Sequence, residues 1–276
     1  MLQFIAPGVH QIPLRTPTLP PSTHTHCYML GTHTRVLIDP ATPYPDEQEK
    51  LASLIHNLHK QNIRCNQIWL THHHPDHIGA VDMLHTTFNM QLACHPLTAQ
   101  KLSLSTPVHT HIQDNDVLQP DPQENHTWQA LFTPGHAQGH LCFYRHSDRI
   151  LISGDNVLGE GSVLIAPPEG NMAQYLASLH RLEALSVETL LPAHGPVVLD
   201  GQAKIRAYIR HRAAREQAVV RCLQQQPCTL EMLQQQVYPS LDPTLLPLAA
   251  LSIQAHLYKL QEEHTVQETN GVWMLA

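Results

Sequence analysis

The feature that most constrains this chain is a short apolar run, Ile68-Trp69-Leu70, leading directly into Thr71-His72-His73-His74-Pro75-Asp76-His77. An apolar run of this length, bounded by polar residues, reads as a buried strand. It delivers four candidate ligands in the order H-x-H-x-D-H. On an extended loop, residues i and i+2 face the same way, so His72 and His74 can grip one ion. Asp76 and His77 are adjacent on a turn, diverge, and can reach a second. The chain has 23 His in 276 residues, so a lone histidine carries little weight. The whole pattern is another matter, since random placement would produce it only about 0.006 times per chain. Two rival pairs, His24-Thr25-His26 and His109-Thr110-His111, lack the following Asp-His and a preceding apolar strand. They read as loop polarity.

Three later segments each end an apolar run in a glycine-containing turn. Phe132-Thr133-Pro134-Gly135-His136 presents His136, Leu151-Ile152-Ser153-Gly154-Asp155 presents Asp155, and Leu190-Leu191-Pro192-Ala193-His194-Gly195 presents His194. Each candidate stands just past the C-terminal end of a strand, where α/β proteins build their sites. The candidate metal ligands are therefore His72, His74, Asp76, His77, His136, Asp155 and His194. Imidazole and carboxylate donors suit zinc, and a catalytic zinc keeps one position for water.

The surrounding pattern interleaves strands and helices, the signature of a layered α/β architecture. A hairpin is expected from 27–30 and 36–39, around Gly31-Thr32-His33-Thr34. A helix is expected over 46–60, where Leu51, Leu54, Ile55 and Leu58 keep helical spacing. Further helices are expected over 78–87, 172–185 and 202–225, and strands at 92–94, 130–133, 141–144, 150–153 and 189–191. Residues 106–129 read as loop and edge strand. Near the C-terminus, Thr229 and Asp242-Pro243 offer helix starts, and Asn270-Gly271 is a strong hairpin turn. Helix, helix, helix, hairpin is the plan of a winged helix. The expected domains are 1–210, catalytic, and 211–276, winged-helix-like.

Charge narrows the function. The formal net charge is −7, which argues against general attraction to nucleic acid. It is uneven: residues 1–200 carry 9 Lys and Arg against 17 Asp and Glu, and residues 201–276 carry 7 against 6. Lys204, Arg206, Arg210, Arg212, Arg215 and Arg221 give the long helix a basic character that could meet phosphates. They read equally as solvated helix-face charges. Residues 244–263 have only Lys259 as a base, a poor recognition helix for duplex DNA. Six cysteines without a C-x-x-C pair suit a reducing compartment. No signal-peptide pattern or membrane-length apolar run is present, so a cytoplasmic location without membrane attachment is expected.

In type and order, His72-x-His74-x-Asp76-His77, His136, Asp155 and His194 resemble the metallo-β-lactamase superfamily. The resemblance implies a four-layer αβ/βα sandwich followed by a small winged-helix domain. It assigns His72, His74 and His136 to one zinc ion, Asp76, His77 and His194 to a second, and Asp155 to a bridge between them. Asp39 matches a buried family Asp with a supporting role. The segments 153–161, 192–196 and 204–217 look like the subgroup of beta-lactamase-like protein 2. Members of that subgroup include an animal endoribonuclease on single-stranded RNA and fungal thioesterases. Family lactamases with two zincs usually carry Cys where Asp155 stands, which points away from a dedicated β-lactamase. Flavodiiron relatives carry Glu where His74 stands, which favours zinc over iron. Pro134-Gly135-His136-Ala137-Gln138-Gly139-His140 is similar to glyoxalase II, but that enzyme's glutathione-binding region is not recognisable here. The subgroup's T-N-T-Y is replaced by Thr25-His26-Cys27-Tyr28, near the expected rim of the site.

The resulting expectation is a hydrolase holding two Zn2+ ions that acidify a bridging water and polarise the scissile group. Asp76 and Asp155 are candidate water-orienting catalytic residues, and His140 is a catalytic or supporting candidate. The expected substrate is a small acyl compound such as a thioester or lactone, with single-stranded RNA as the alternative.

Overall fold

A computed structural model describes every residue except Met1 and Pro21. The chain forms two compact units. The first holds residues up to Phe132 together with Gly139–Gly161 and Val187–Gly201; the second holds Thr133–Gln138, Ser162–Ser186 and Gln202–Ala276.

The first unit is built on two sheets. Seven strands lie side by side in chain order: β1 (Gln3–Ala6), β2 (Val9–Arg15), β3 (His24–Leu30), β4 (Thr34–Ile38), β5 (Arg64–Trp69), β6 (Gln91–Cys94) and β7 (Val108–His111). The first four run antiparallel, and β4 to β7 run parallel. The parallel crossovers contain α1 (Pro45–Lys60), then α2 (Pro75–Ile78) and α3 (Val81–Phe88), then the short α4 (Pro96–Ala99). The second sheet comprises β8 (Val117–Leu118), β9 (Trp128–Phe132), β10 (Leu141–Arg145), β11 (Ile150–Gly154) and β12 (Thr189–Pro192). Only the β11–β12 pair is parallel.

Strand alternation sorts the first sheet into two faces. Cys27, Met29, Leu37 and Ile68 pack with Leu51, Ile55 and Leu58 of α1 and with Val81 and Leu84 of α3. Their neighbours Tyr28, Leu30, Val36, Ile38 and Trp69 point the other way, onto Trp128, Ala130, Phe143, Ile152 and Leu191 of the second sheet. Each large apolar side chain buried in these layers contributes about 1.5–3 kcal/mol, which fixes strand register, because a one-residue slip would exchange the faces. Helix α1 opens with Pro45 and carries Asp46 and Glu47 in its first turn and Lys60 in its last, matching the helix dipole.

The rival pairs do not lie in loops. His24 and His26 belong to β3, and His109 and His111 to β7. Short polar strands lack the apolar alternation by which strands are recognised. His109 accepts the Leu92 amide through Nδ1 at 3.1 Å, an inter-strand role.

The second unit contains α5 (Met172–Glu183), most of α6 (Gly201–Gln225), α7 (Leu230–Val237), α8 (Leu246–Glu262) and a small sheet of β13 (Cys228–Thr229), β14 (Val266–Thr269) and β15 (Val272–Leu275). Thr229 caps α7 by accepting the Met232 amide. Asp242 caps a 3-10 turn, Pro243–Leu245, that precedes α8. Asn270 and Gly271 both take positive φ, as the tight hairpin requires. Val219, Leu223, Leu233, Val237, Ile253, Leu257 and Trp273 form a common core of these helices and the hairpin.

Part of the basic character expected of α6 is used internally, while Arg206, Arg210 and Arg221 stay exposed. Arg212 is buried; its guanidinium donates to the Val163 carbonyl and lies over the Tyr175 ring. Arg215 donates to the Val237 carbonyl at 3.0 Å and stacks on Tyr238. Arg206 approaches Glu183, and Glu216 accepts from Lys259 at 2.8 Å and from His256 at 3.2 Å. The readings of Arg212 as a solvated helix-face charge or a phosphate contact are both corrected. A guanidinium that satisfies a buried carbonyl and an aromatic face is a packing element, and charge counting along a sequence cannot see that.

No helix among the described residues is long and apolar enough to cross a membrane, and no disulfide joins the six cysteines.

Candidate metal centre

The loop after β5 carries His72, His74, Asp76 and His77, the last two within α2. Its anchor is Asp39, just past β4. The backbone there has φ +51°, an unusual conformation for a non-glycine residue, and it turns the carboxylate inward. Asp39 accepts the Thr71 amide at 2.8 Å, the Thr71 hydroxyl at 2.6 Å and the His77 Nδ1 proton at 2.9 Å. Since Thr71 Oγ1 donates to Asp39, it accepts from His72 Nδ1 at 3.0 Å.

These contacts fix tautomers. With Nδ1 of both His72 and His77 committed as donors, each ring keeps its Nε2 lone pair for the site. His74 instead presents Nδ1, which lies 3.0 Å from His72 Nε2. His194 donates Nδ1 to the His24 carbonyl at 3.0 Å, which again leaves Nε2. In the second unit, His136 donates Nδ1 to the Leu164 carbonyl at 2.9 Å. Its loop is tied to α5 by Asn171 N–H to Gly135 O and Ser178 Oγ to Pro134 O.

Four donors converge beside this loop. His77 Nε2 lies 3.5 Å from Asp155 Oδ1, Asp155 Oδ1 lies 3.4 Å from His194 Nε2, and His194 Nε2 lies 3.5 Å from Asp76 Oδ2. Ligands about 2.0–2.2 Å from a tetrahedral ion stand about 3.3–3.6 Å apart, so these spacings suit a first-row divalent cation. The donor atoms of His72, His77 and Asp155 also lie within 4.8 Å of one another, as do those of Asp76, His77 and His194. His77 Nε2 is buried and makes no hydrogen bond among the described residues, an orphan that a cation would satisfy.

The electrostatics point the same way. Burial alone would raise the Asp155 carboxyl, but the His194 and His77 rings pull it well below the usual carboxylate range. Burial would lower His77, yet the Asp155 and Asp39 carboxylates push it well above an ordinary histidine. His194 is likewise pushed up to about 10 against its burial, chiefly by Asp155, and Asp76 is drawn down to about 2, with His194 and His77 overcoming burial. Positive charge is strongly favoured among these groups, and either protons or a metal supplies it.

Asp155 follows Gly154, whose φ is +50°. A Cβ there would stand 2.7 Å from His140 Nε2 and 2.9 Å from Thr71, so only glycine lets the strand end pass this close. His140 is fully buried, and its Nε2 accepts the Asp155 amide at 3.2 Å. The observed contact is with the backbone that aims Asp155.

Residues to which sequence reading gave a place near the rim but no role stand behind His194. His26 N–H donates to Ala193 O at 2.8 Å, Tyr28 donates its hydroxyl to Pro192 O at 2.7 Å, and His26 Nδ1 meets the same carbonyl at 3.3 Å. Burial above all lowers the His26 ring to about 4. The start of β3 thus clamps the loop that presents His194. The signals for it were the His-x-His pair running into the apolar 27–30 segment and the departure from the family pattern at Thr25–Tyr28.

Comparison with known proteins identifies the family. Residues 21–194 match the metallo-beta-lactamase superfamily, and residues 229–273 match the beta-lactamase associated winged helix domain. The chain is 32% identical over 225 residues to the lactamase-like protein vrtG of Penicillium aethiopicum, covering 79% of this chain and 67% of that protein. It is 29% identical over 248 residues to the beta-lactamase-like protein 2 homolog of Caenorhabditis elegans, covering 88% and 80%. The chain spans little more than half the length of several other fungal relatives. A beta-lactamase domain protein from Burkholderia ambifaria shares the fold, with a TM-score of 0.86 at 20% identity over 100% of this chain and 93% of that one.

Proposed function

Because the chain belongs to the metallo-β-lactamase superfamily and is a metal-dependent hydrolase, we propose that it works with two zinc ions on a small acyl substrate, a thioester or related ester. His72, His74 and His136 would hold one ion, and Asp76, His77 and His194 the other, with Asp155 shared. Residues 1–210 would form the catalytic part and 211–276 the winged-helix part. When bound, the ions supply an acidified water and a Lewis-acid contact for the scissile oxygen.

The chain's own residues do the rest. Asp39 and Thr71 hold His72 and His77 in the tautomers that expose Nε2. Asp76 and Asp155 would, beside holding the ions, orient the attacking water. His140 positions Asp155 through its amide.

The observation that carries the acyl reading is the internal use of Arg212, Arg215 and Lys259. A polyanion needs several free cations for its phosphates; these three are engaged elsewhere, which leaves Arg206, Arg210 and Arg221 as the exposed bases of the long helix. The test is to assay the zinc-loaded chain against acyl thioesters and against labelled single-stranded RNA. Thioester hydrolysis that disappears in His74→Ala, with no RNA cleavage, is expected. RNA cleavage that His74→Ala abolishes, without thioester turnover, would replace the proposal with the endoribonuclease reading.

A further inference from the structure

The inner face of the first sheet changes character along its length. Val9 of β2 and Tyr28 and Leu30 of β3 belong to the apolar layer between the sheets. Two and four residues onward, alternation puts Gln11 and Pro13 of β2, and His26 and His24 of β3, on the same face. There the face lines an open groove of about 560 Å³, with Gly195 and Pro196 on another wall. The groove begins one residue from His194, whose ring is held by the His24 carbonyl.

Its chemistry is specific. Gln3, Gln11, Ser22, Thr23, His26 and Glu160 supply hydrogen-bonding groups, and no Lys or Arg lines it among the described residues. Because the Pro192 carbonyl can only accept, His26 carries its proton on Nδ1 and keeps Nε2 as an acceptor. Gln11 donates one amide N–H to the Tyr28 hydroxyl, which leaves its carbonyl oxygen and its second N–H. The exposed Glu160 carboxylate accepts only. His26 Nε2, the Gln11 carbonyl and Glu160 therefore need donors from a ligand, and a phosphate or carboxylate would meet Glu160 with no Lys or Arg among the lining residues to offset it.

We propose that this groove holds the non-reacting part of the acyl substrate and selects an uncharged group bearing hydroxyl or amide N–H donors. The inference rests on the acyl-hydrolase reading and adds what the acyl group must carry. A ligand without donors strips water from these acceptors and returns nothing, which is how hydrogen-bonding sites reject deoxy analogues.

The test uses the zinc-loaded full chain and two non-hydrolysable thioethers, one with a polyhydroxylated chain and one with its deoxy counterpart. Calorimetry is expected to show the hydroxylated compound binding about tenfold tighter or better, a modest fraction of what enclosed sites achieve. His26→Phe should bring the two affinities within about twofold, and His26→Gln, which restores an acceptor, should recover much of the preference. Glu160→Gln, at an exposed position, should weaken it without affecting folding. Equal affinities, binding of neither compound, or a preference untouched by these substitutions would overturn the groove assignment. Turnover of the matching thioesters is scored separately. Selective binding without hydrolysis keeps the groove and removes the acyl-hydrolase reading, and hydrolysis without selectivity does the reverse.

Discussion

His77 donates its Nδ1 proton to Asp39 across 2.9 Å, and the same carboxylate oxygen receives the Thr71 hydroxyl at 2.6 Å. One side chain from the end of β4 therefore sets the protonation pattern of two candidate ring ligands on the next strand's loop. Replacing it by Asn removes the charge while preserving the shape. Asp39→Asn is expected to weaken zinc binding about 10–100-fold, as is usual for partners of metal-bound histidines. Competition with a chromophoric chelator would show it; unchanged affinity would mean that His77 is oriented by packing alone.

Activity on antibiotics is expected to be weak. Asp155 stands where dedicated two-zinc lactamases resemble one another in carrying Cys. Hydrolysis of penicillins and carbapenems by the zinc-loaded chain should fall well below the ordinary enzyme range of about 10⁴–10⁸ M⁻¹s⁻¹ in kcat/KM. A value inside that range, read by the loss of lactam absorbance, would contradict this.

Arg212 should behave as a structural residue. Arg212→Gln leaves the Val163 carbonyl without its donor and the Tyr175 face without its cation. The expected cost is about 2–4 kcal/mol of stability, typical of breaking a buried charged hydrogen bond. Urea denaturation of the metal-loaded protein measures it. A cost below ~0.5 kcal/mol would show the contact to be dispensable.

Acid should expose the role of Asp121. Its buried carboxylate accepts the backbone amides of Thr32, His33, Thr34 and Gln123, tying the β3–β4 turn to the loop after β8. Burial would raise it, but those four amides draw it down to about 2. A carboxyl lowered in this way stabilises the fold fully above its unfolded value near 3.8 and loses that contribution as pH falls toward about 2. The Tm of the parent should therefore fall more steeply between those limits than that of Asp121→Asn. Parallel Tm profiles would show that Asp121 is not linked to acid unfolding.

Much of this was legible beforehand because it depends on local rules. The hairpin around residues 31–34, α1, the three strand–glycine–ligand turns and the Asn270-Gly271 hairpin follow from periodicity and turn chemistry. The seven candidate ligands could be picked out in the same way, since they lie in the loops and turns that follow apolar strands. What escaped depends on partners distant in sequence. The polar start of β3 has no apolar alternation, and its partner, the Pro192 carbonyl, lies 166 positions from His26. Arg212 looked like a solvated charge because Val163 is 49 positions away. Asp39's backbone strain has no composition signature at all.

The bond between His194 and the His24 carbonyl spans 170 positions. His24 belongs to the first sheet and His194 follows the last strand of the second, so this bond is made only when both sheets are in place. The metal-binding geometry is then absent from early folding species and belongs to the finished fold. A cation bound there would act mainly as a brake on opening, lengthening the native lifetime while leaving the rate of first assembly nearly untouched.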